Sequence, residues 1–553
     1  MSEQTITSSP VNSPDVLMNE PLSRQVDVTV ETSILEPVSH SFNSFTGGFT
    51  TFNLPAKAVL DAPNCALMFS LRQQANQAGN LVAYNYAVGG AGCIRRMSVR
   101  VGGNLMSTLD FVGEYMNIKK NYMRQEIKEG ILDNRLLSSN GLENRIANGN
   151  IAAGAANLAF HQLYNPECDQ PSSFGKTNTA GAVLHQTQIA KCIASTAGQT
   201  PEIIIKLSDV FEIFKENKLP LLAMAQTQIE IEWAPAGDPN AADGTAIREC
   251  PLIDALIPAS ANVGVGAPAR LQNCAVFMNT PTLLCDYIHY DETERQKIFN
   301  AINSPGGMAL HFSEVMHTRG TNPQSTLADG GGTGTERIES QHILGLSQKE
   351  IKKMYCVKRY DQRTPRGVAE LNAEGGVGIK QHLNILYNQF NSQDIIGETY
   401  NFFINNERVY DKDVSNKSLA HDYASQCHNH YAVPSIYYGT NNYNANSTRI
   451  LFDQDMVSGA YVANANVTGR SKKYLAGSQS IIGLNLDKYN DMGSVPGNGV
   501  RIGSAPISFN YSRLATQNAV AGQGNTAALN LDFFLVYRRS LVIRPLGVDV
   551  SDS

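Results

Sequence analysis

The sequence is poor in charge. Asp, Glu, Lys and Arg make up only 17% of its 553 residues, and the formal net charge at pH 7 is −6. Such a chain carries no overall field that would draw it to nucleic acid or to anionic lipid. Tryptophan occurs once, at Trp233. The nine cysteines, at 65, 93, 168, 192, 250, 274, 285, 356 and 427, are an odd total without one CxxC pair. A disulfide framework or a structural zinc site needs closer, paired spacing, so they read as small buried hydrophobes. No apolar run is long enough to span a bilayer, and no charged-then-apolar leader opens the chain. The expectation is a soluble protein made in a reducing compartment. Neither GxSxG nor HExxH occurs, and no catalytic residue, cofactor site or metal site is assigned.

What is present suits strands and turns. Hydrophobic residues are 42% of the chain, with 45 Gly and 23 Pro. That composition favours an all-β protein with many turns, and the length favours two cores. Residues 1–36 hold six acids (Glu3, Asp15, Glu20, Asp27, Glu31, Glu36) against one base, Arg24, and read as a mobile acidic arm. An arm meant for a genome would be basic. From about Ser39 the texture turns to short alternating runs. In "QTQIEIEW", Thr227, Ile229, Ile231 and Trp233 point one way and Gln226, Gln228, Glu230 and Glu232 the other. Further strands are expected at 382–388, 399–404, 506–512 and 529–538. Residues 137–200 hold six charges in 64, the mark of a long loop packed on itself or clamped by neighbouring subunits.

The Gly-rich stretch at 89–123, "GGAGCIRRMSVRVGGNLMSTLDFVGEYMNIKKNYM", fails as a phosphate loop. Gly90 and Gly92 begin a dinucleotide fingerprint, but Arg95 stands where its third glycine belongs. Neither this run nor "DGGGTGTE" at 329–336 has the Gly-Lys-Ser/Thr of a Walker loop. The geometric reading is a hairpin: Met97, Val99 and Val101 on one face, then Gly102-Gly103 supplying the positive φ of a tight turn, then a short return strand. Ser107 and Asp110 are spaced as a capping box for a helix bearing Phe111, Tyr115, Ile118 and Tyr122 on one stripe. The same grammar recurs some 300 residues on. "NFFINNERVY" holds a strand, an Asn405-Asn406 turn and a return strand, and "SLAHDYASQCHNHY" follows with helical period. A second echo links "LLCDYIHYDETER" (283–295) and "LNLDFFLVYRRS" (529–540), two apolar strands each with an internal Asp. Two echoes in one order predict two similar β-rich domains in tandem.

These stretches carry a resemblance. "VRVGGNLMSTLDFVGEYMNIKKNYM" resembles the strand–GlyGly–helix signature of double jelly-roll major capsid proteins, the family shared by virophages, polinton-like viruses and large eukaryotic DNA viruses. "NKLPLLAMAQTQIEIEW" is similar to that family's Leu-Pro-Leu run, with Pro220 and Trp233 as its marks. "LLCDYIHYDETERQKIF", with Asp291, Glu294 and Arg295, resembles the end of its first jelly roll. "GSAPISFNYSRL" and "ALNLDFFLVYRRSLVI" resemble the last two strands of the second. The motifs fall in family order from 99 to 543, while 430–500 has no counterpart.

The resemblance implies an all-β fold of two eight-stranded jelly rolls with a few short helices and long loops. The expected divisions are an arm at 1–36, jelly rolls at 37–297 and 298–547, and a tail at 548–553. It implies a structural, non-enzymatic major capsid protein forming pseudo-hexameric homotrimers that tile an icosahedral shell. The implied partners are itself, penton and minor capsid proteins, and an inner membrane or scaffold reached by the arm. The implied location is the virion, assembled inside the infected cell. The alternatives are a minor capsid or glycan-binding attachment protein of a virion, and a carbohydrate-active β enzyme.

Sharper chemistry has plain counterparts. Glu230 and Glu232, two apart on one strand face, invite a glycosidase reading, but no aromatic sugar platform accompanies them and a solvated face explains them. His421, Cys427, His428 and His430 have metal-like composition, yet His421 and His428 would lie roughly 10 Å apart on a helix, too far for one ion. The basic run at 469–473 lacks the aromatic interleaving of a nucleic-acid patch. Sequons at Asn416, Asn446, Asn466 and Asn510 matter only in the secretory pathway.

Overall fold

The computed structural model describes residues 27–44, 46–73, 89–121, 202–235, 276–327, 332–345, 349–360, 397–427, 481–487, 506–517 and 528–552 except 546, with shorter pieces including 11–14, 17, 82–85, 176–177, 183–184, 190–193, 252–254 and 500–502. The expected strand at 382–388, the basic run at 469–473 and most of 137–200 lie outside the described residues.

Sixteen strands form the frame. In the first half they are β1 Val28–Leu35, β2 Gly48–Leu54, β3 Ala66–Gln73, β4 Ile94–Val101, β5 Asn104–Asp110, β6 Glu202–Lys206, β7 Thr227–Trp233 and β8 Thr282–Tyr290. In the second they are β9 Met308–Asn322, β10 Thr335–Gly345, β11 Glu350–Tyr360, β12 Thr399–Ile404, β13 Glu407–Arg408, β14 Ile482–Asn485, β15 Ile507–Thr516 and β16 Leu529–Arg544. The first half makes sheets β1-β8-β3-β6 and β2-β7-β4-β5. The second makes β9-β16-β11-β14 and β10-β15-β12-β13, the same two orders displaced by eight strands. In each half the first strand pairs the eighth, the second the seventh, the third the sixth and the fourth the fifth. That is a long hairpin wrapped into a two-sheet Greek-key barrel, the jelly roll. The chain is two such barrels in tandem.

Residue chemistry places the strands. In β7 burial alternates at every step, with Thr227, Ile229, Ile231 and Trp233 inside. The Trp233 indole packs edge-on to Phe42 and Phe69 and donates its N–H to the Thr50 hydroxyl at 2.8 Å. Both hairpin turns have the backbone of their residue types: Gly102 and Gly103 at φ 57° and 86°, Asn405 and Asn406 at φ 53° and 66°. Two successive left-handed residues make the turn whose twist matches the strands it joins.

Several expectations need correction. Ser107 and Asp110 do not cap a helix: both lie in β5, paired with Val99 and Arg96, because ladder hydrogen bonds to β4 claim the segment first. The helix α1 starts at Val112, after Phe111 at φ 56°. The acidic arm does not reach Glu36. Val28–Leu35 pair along β8, and Glu31 is held by Lys57 at 2.5 Å and His289 at 3.2 Å. Further upstream, Val11 and Asn12 run parallel to Met308 and Ala309, and Leu17 is fully buried, so these three residues are held by the chain's own barrels. The expected tail is a strand too: β17, Gly547–Asp552, pairs with β16. The expected boundary at 297 falls inside helix α2, Glu292–Ile302, which leads from β8 towards β9.

Trp233 is the single tryptophan and sits in the first barrel, so its fluorescence reports that barrel alone. A Cβ at Gly103 would meet nothing within 4 Å, so any cost of substitution is backbone strain. Gly103→Val is expected to destabilise the first barrel by about 1–2 kcal/mol, read as a lower denaturant midpoint in Trp233 fluorescence. Asn406→Gly keeps the left-handed turn and should leave the same midpoint unmoved.

Candidate functional site: the junction between the barrels

The second barrel buries its β9-β16-β11-β14 sheet on both faces. Leu529, Leu531, Phe533, Leu535 and Tyr537 of β16 point into its own interior, while Phe534 and Val536 point outward into the core shared with the first barrel. A central strand covered on both sides reads as a near-continuous apolar run, and "LNLDFFLVYRRSLVI" is one. Against its outer face stand α1 (Val112–Asn121) and the short helix α3, Glu212–Glu216, which follows α4, Leu207–Val210. The Tyr115 ring lies 5.7 Å from that of Phe534.

Within this apolar contact lies a fully buried carboxylate, Asp532 on β16. Arg359 of β11 reaches it at 2.7 Å, Arg319 of β9 at 2.5 Å, and His317 Nε2 lies 3.0 Å away. Arg359 also binds Glu114 of α1 at 2.5 Å, so one guanidinium joins an acid from each barrel. Burial acts to raise the Asp532 carboxyl, but Arg359, His317 and Arg319 outweigh it and hold the group far below the usual carboxylate range. Phe111 completes the set, its ring 4.5 Å from His317 and beneath the Arg319 guanidinium at 4.7 Å. Its left-handed backbone costs about 1–2 kcal/mol.

A second cluster sits beside α3. Glu212 accepts from Lys119 Nζ at 2.5 Å and from the Tyr115 hydroxyl at 3.4 Å. Burial would raise this carboxyl, but Lys119 and Lys215 bring it down to about 2. Backbone contacts finish the junction: Thr108 N–H donates to Glu314 Oε1 at 2.9 Å, Asn217 to the His311 carbonyl at 2.9 Å, and Arg539 to the Met106 carbonyl at 2.9 Å.

The residues marked in the sequence do not gather at one place. Gly102-Gly103 and Asn405-Asn406 turn the β4–β5 and β12–β13 hairpins. Pro220 precedes a 3-10 turn beside the bridge between Leu60 and Leu219. Asp291 caps α2, accepting from the Glu294 N–H at 3.0 Å; Glu294 is buried against Lys297 at 2.8 Å; Arg295 is exposed near Glu292. Glu230 and Glu232 are each held by an arginine across the strands, Arg100 binding the first at 2.8 Å and Arg96 the second at 2.7 Å. Cys427 is buried and its thiol donates to the Tyr423 carbonyl, while His428 and His430 lie outside the described residues. Asn416 caps the helix α5, Lys417–Gln426, and Asn510 is inside β15. Among the described residues no group of three or more His, Cys, Asp or Glu could hold a metal ion, and no helix is long and apolar enough to cross a membrane.

The fold and its junction define a double jelly-roll protein. No family model and no curated protein sequence matches the chain. Among solved structures it is similar to a chain of the PBCV-1 virus capsid, with 9% identity over 97% of this chain and 99% of that one and a TM-score of 0.49. It is similar to a chain of the Sputnik virophage, with 12% identity over 97% and 91% and a TM-score of 0.49. The Faustovirus major capsid protein gives 10% identity over 95% and 92% and a TM-score of 0.46. The strand order, and not these likenesses, defines the fold.

Removing one partner of a buried charge cluster leaves the others uncompensated. Asp532→Ala is expected to cost about 3–5 kcal/mol, seen as a lower thermal midpoint. For Glu212 the folded value lies below the ordinary glutamate range, so its stabilisation is present above that range and is lost as pH falls towards about 2. Between pH 5 and pH 2 the wild type should therefore lose about 3 kcal/mol through this group, and Glu212→Gln should flatten that part of the thermal-midpoint profile.

Proposed function

We propose that the protein is the major capsid protein of a eukaryotic DNA virus, forming homotrimers of pseudo-hexagonal outline that tile an icosahedral shell. The observation that carries the reading is the duplication: one eight-strand order used twice and locked side by side by a buried charged junction. Three rigid pairs of barrels arranged about a threefold axis give six similar lobes, and closed point-group assembly of one chain is the common route to such a ring. The ordered motifs between 99 and 543 support the same family. Exposed apolar side chains on the edge strand β1, Val28, Val30 and Ile34 at 48%, 57% and 64%, suit a surface that a neighbour covers. The protein acts as a building block, with pentons and minor capsid proteins as its further partners and the virion as its location.

Light scattering of the purified chain, with negative-stain images of the same fraction, tests this. The expected result is a species near three times 60.1 kDa with six-lobed outlines or sheets. A stable monomer that binds glycans would replace the reading with an attachment protein.

A further inference from the structure

Between Leu60 and Ala66 the chain makes a detour along β8. Val59 and Leu60 pair with Ile288 and Tyr287, and Ala66, Leu67 and Met68 pair with Leu284, Leu283 and Thr282. The residues between bulge out through a 3-10 turn at Ala62–Asn64, and Cys65 returns in extended backbone at φ −64°, ψ 132°. Carrying the antiparallel register one step further sets Cys65 opposite Cys285. Both side chains belong to the inner face of the first barrel, with Leu67, Leu283 and Tyr287, all at 0% exposure. Directly opposed residues in such a pair have Cα atoms about 4.5–5.5 Å apart, inside the range that disulfides bridge. The two thiols interact directly: Cys285 is the first cause, ahead of burial, that lifts the Cys65 thiol well above its ordinary range. Both are free thiols. Cys356, by contrast, faces Ile482 and Phe533 across its neighbouring strands.

We propose that Cys65 and Cys285 are a redox pair that closes into a cross-strand disulfide when the protein meets hydrogen peroxide, stapling the two central strands of the first barrel's β1-β8-β3-β6 sheet. One sulfur takes an oxygen from peroxide, giving a sulfenic acid and releasing one water. The second sulfur then displaces the hydroxyl as another water, the proton coming from its own thiol. Two thiols and one peroxide become one disulfide and two waters, each sulfur losing one electron and peroxide gaining two. The adjacent Cys285 and burial together keep Cys65 protonated, so closure is slow in the folded protein and leaves it reduced on brief exposure. The chemistry rests on the strand register and on the inner face that the two thiols share. Only its occasion, a particle leaving a reducing cell for an oxidising medium, rests on the capsid reading.

The test uses the full-length protein, incubated with hydrogen peroxide, quenched, denatured, alkylated without reductant and mapped by mass spectrometry. The expected result is a chain lighter by about 2 Da before alkylation, with a Cys65–Cys285 linked peptide that a thiol reductant abolishes. The oxidised protein should unfold about 5 °C higher, an increase reversed by reductant and missing in Cys65→Ala. Full alkylation of both cysteines after prolonged oxidation, or sulfinic acid at either, overturns the proposal. The peptide map of the wild type decides even where the variant does not fold. Its outcome is independent of particle mass, so failure of the trimer and failure of the disulfide are told apart.

Discussion

One buried carboxylate fixes how the two halves of this molecule meet. Asp532 lies in β16, the longest of the described strands, and cannot stay ionised there without Arg359, Arg319 and His317 around it. Arg359 is also bound to Glu114 of the first barrel, so satisfying the acid of one barrel orients the helix of the other. Such a cluster adds less stability than an equal volume of packed hydrocarbon would. Its effect is on orientation. Apolar faces slide over one another at small cost, whereas a misplaced guanidinium would leave buried charges without compensation.

The rest of the junction follows from that constraint. Phe111 is held in a left-handed backbone by the Arg95 carbonyl, which accepts its N–H at 2.6 Å, and this aims its ring at His317 and Arg319. The strain is small beside the burial it permits. α1 can then lay Tyr115 on Phe534, and α3 can bring Glu212 to Lys119 and Asn217 to the backbone of β9. The α1 helix is buried almost all round, including Glu114 and Asn117, because it is wedged between barrels and not lying on a surface.

Legibility in the sequence tracked how many faces of an element meet solvent. β7, with one face inside and one carrying Glu230 and Glu232 to arginines, alternates so cleanly that its orientation could be read residue by residue. Both hairpin turns were legible because only Gly and Asn sit easily at positive φ. Where tertiary pairing competed with a local signal, the local signal lost. Ser107 and Asp110 have capping-box spacing, yet β4 holds them as a strand. The acids of the first 36 residues suggested a free arm, but β-branched residues at 28, 29, 30, 32 and 34 pair with β8, and Leu17 finds a core. The junction itself was almost invisible, since its polar side chains come from 114, 317, 319, 359 and 532, spread over four elements. The one available signal was an acid inside an otherwise apolar strand.

That signal occurs twice, and the comparison shows how a duplication becomes asymmetric. Asp286 on β8 and Asp532 on β16 both point to the outer face of the sheet formed by the first, eighth, third and sixth strands of their barrel. In the first barrel the neighbouring strand is exposed, and the Thr32 hydroxyl at 2.7 Å suffices for a carboxylate that water also reaches. In the second barrel the same face is roofed by the first barrel, water is excluded, and two arginines and a histidine take its place. Two acids on the corresponding face of the corresponding strand therefore meet two dielectrics, and their surroundings differ as desolvation requires. The barrel that is roofed cannot also present this face outward, whereas the barrel that roofs it leaves β1 and its valines open. Two copies of one fold thus give a chain in which the same sheet face is closed in one barrel and exposed in the other.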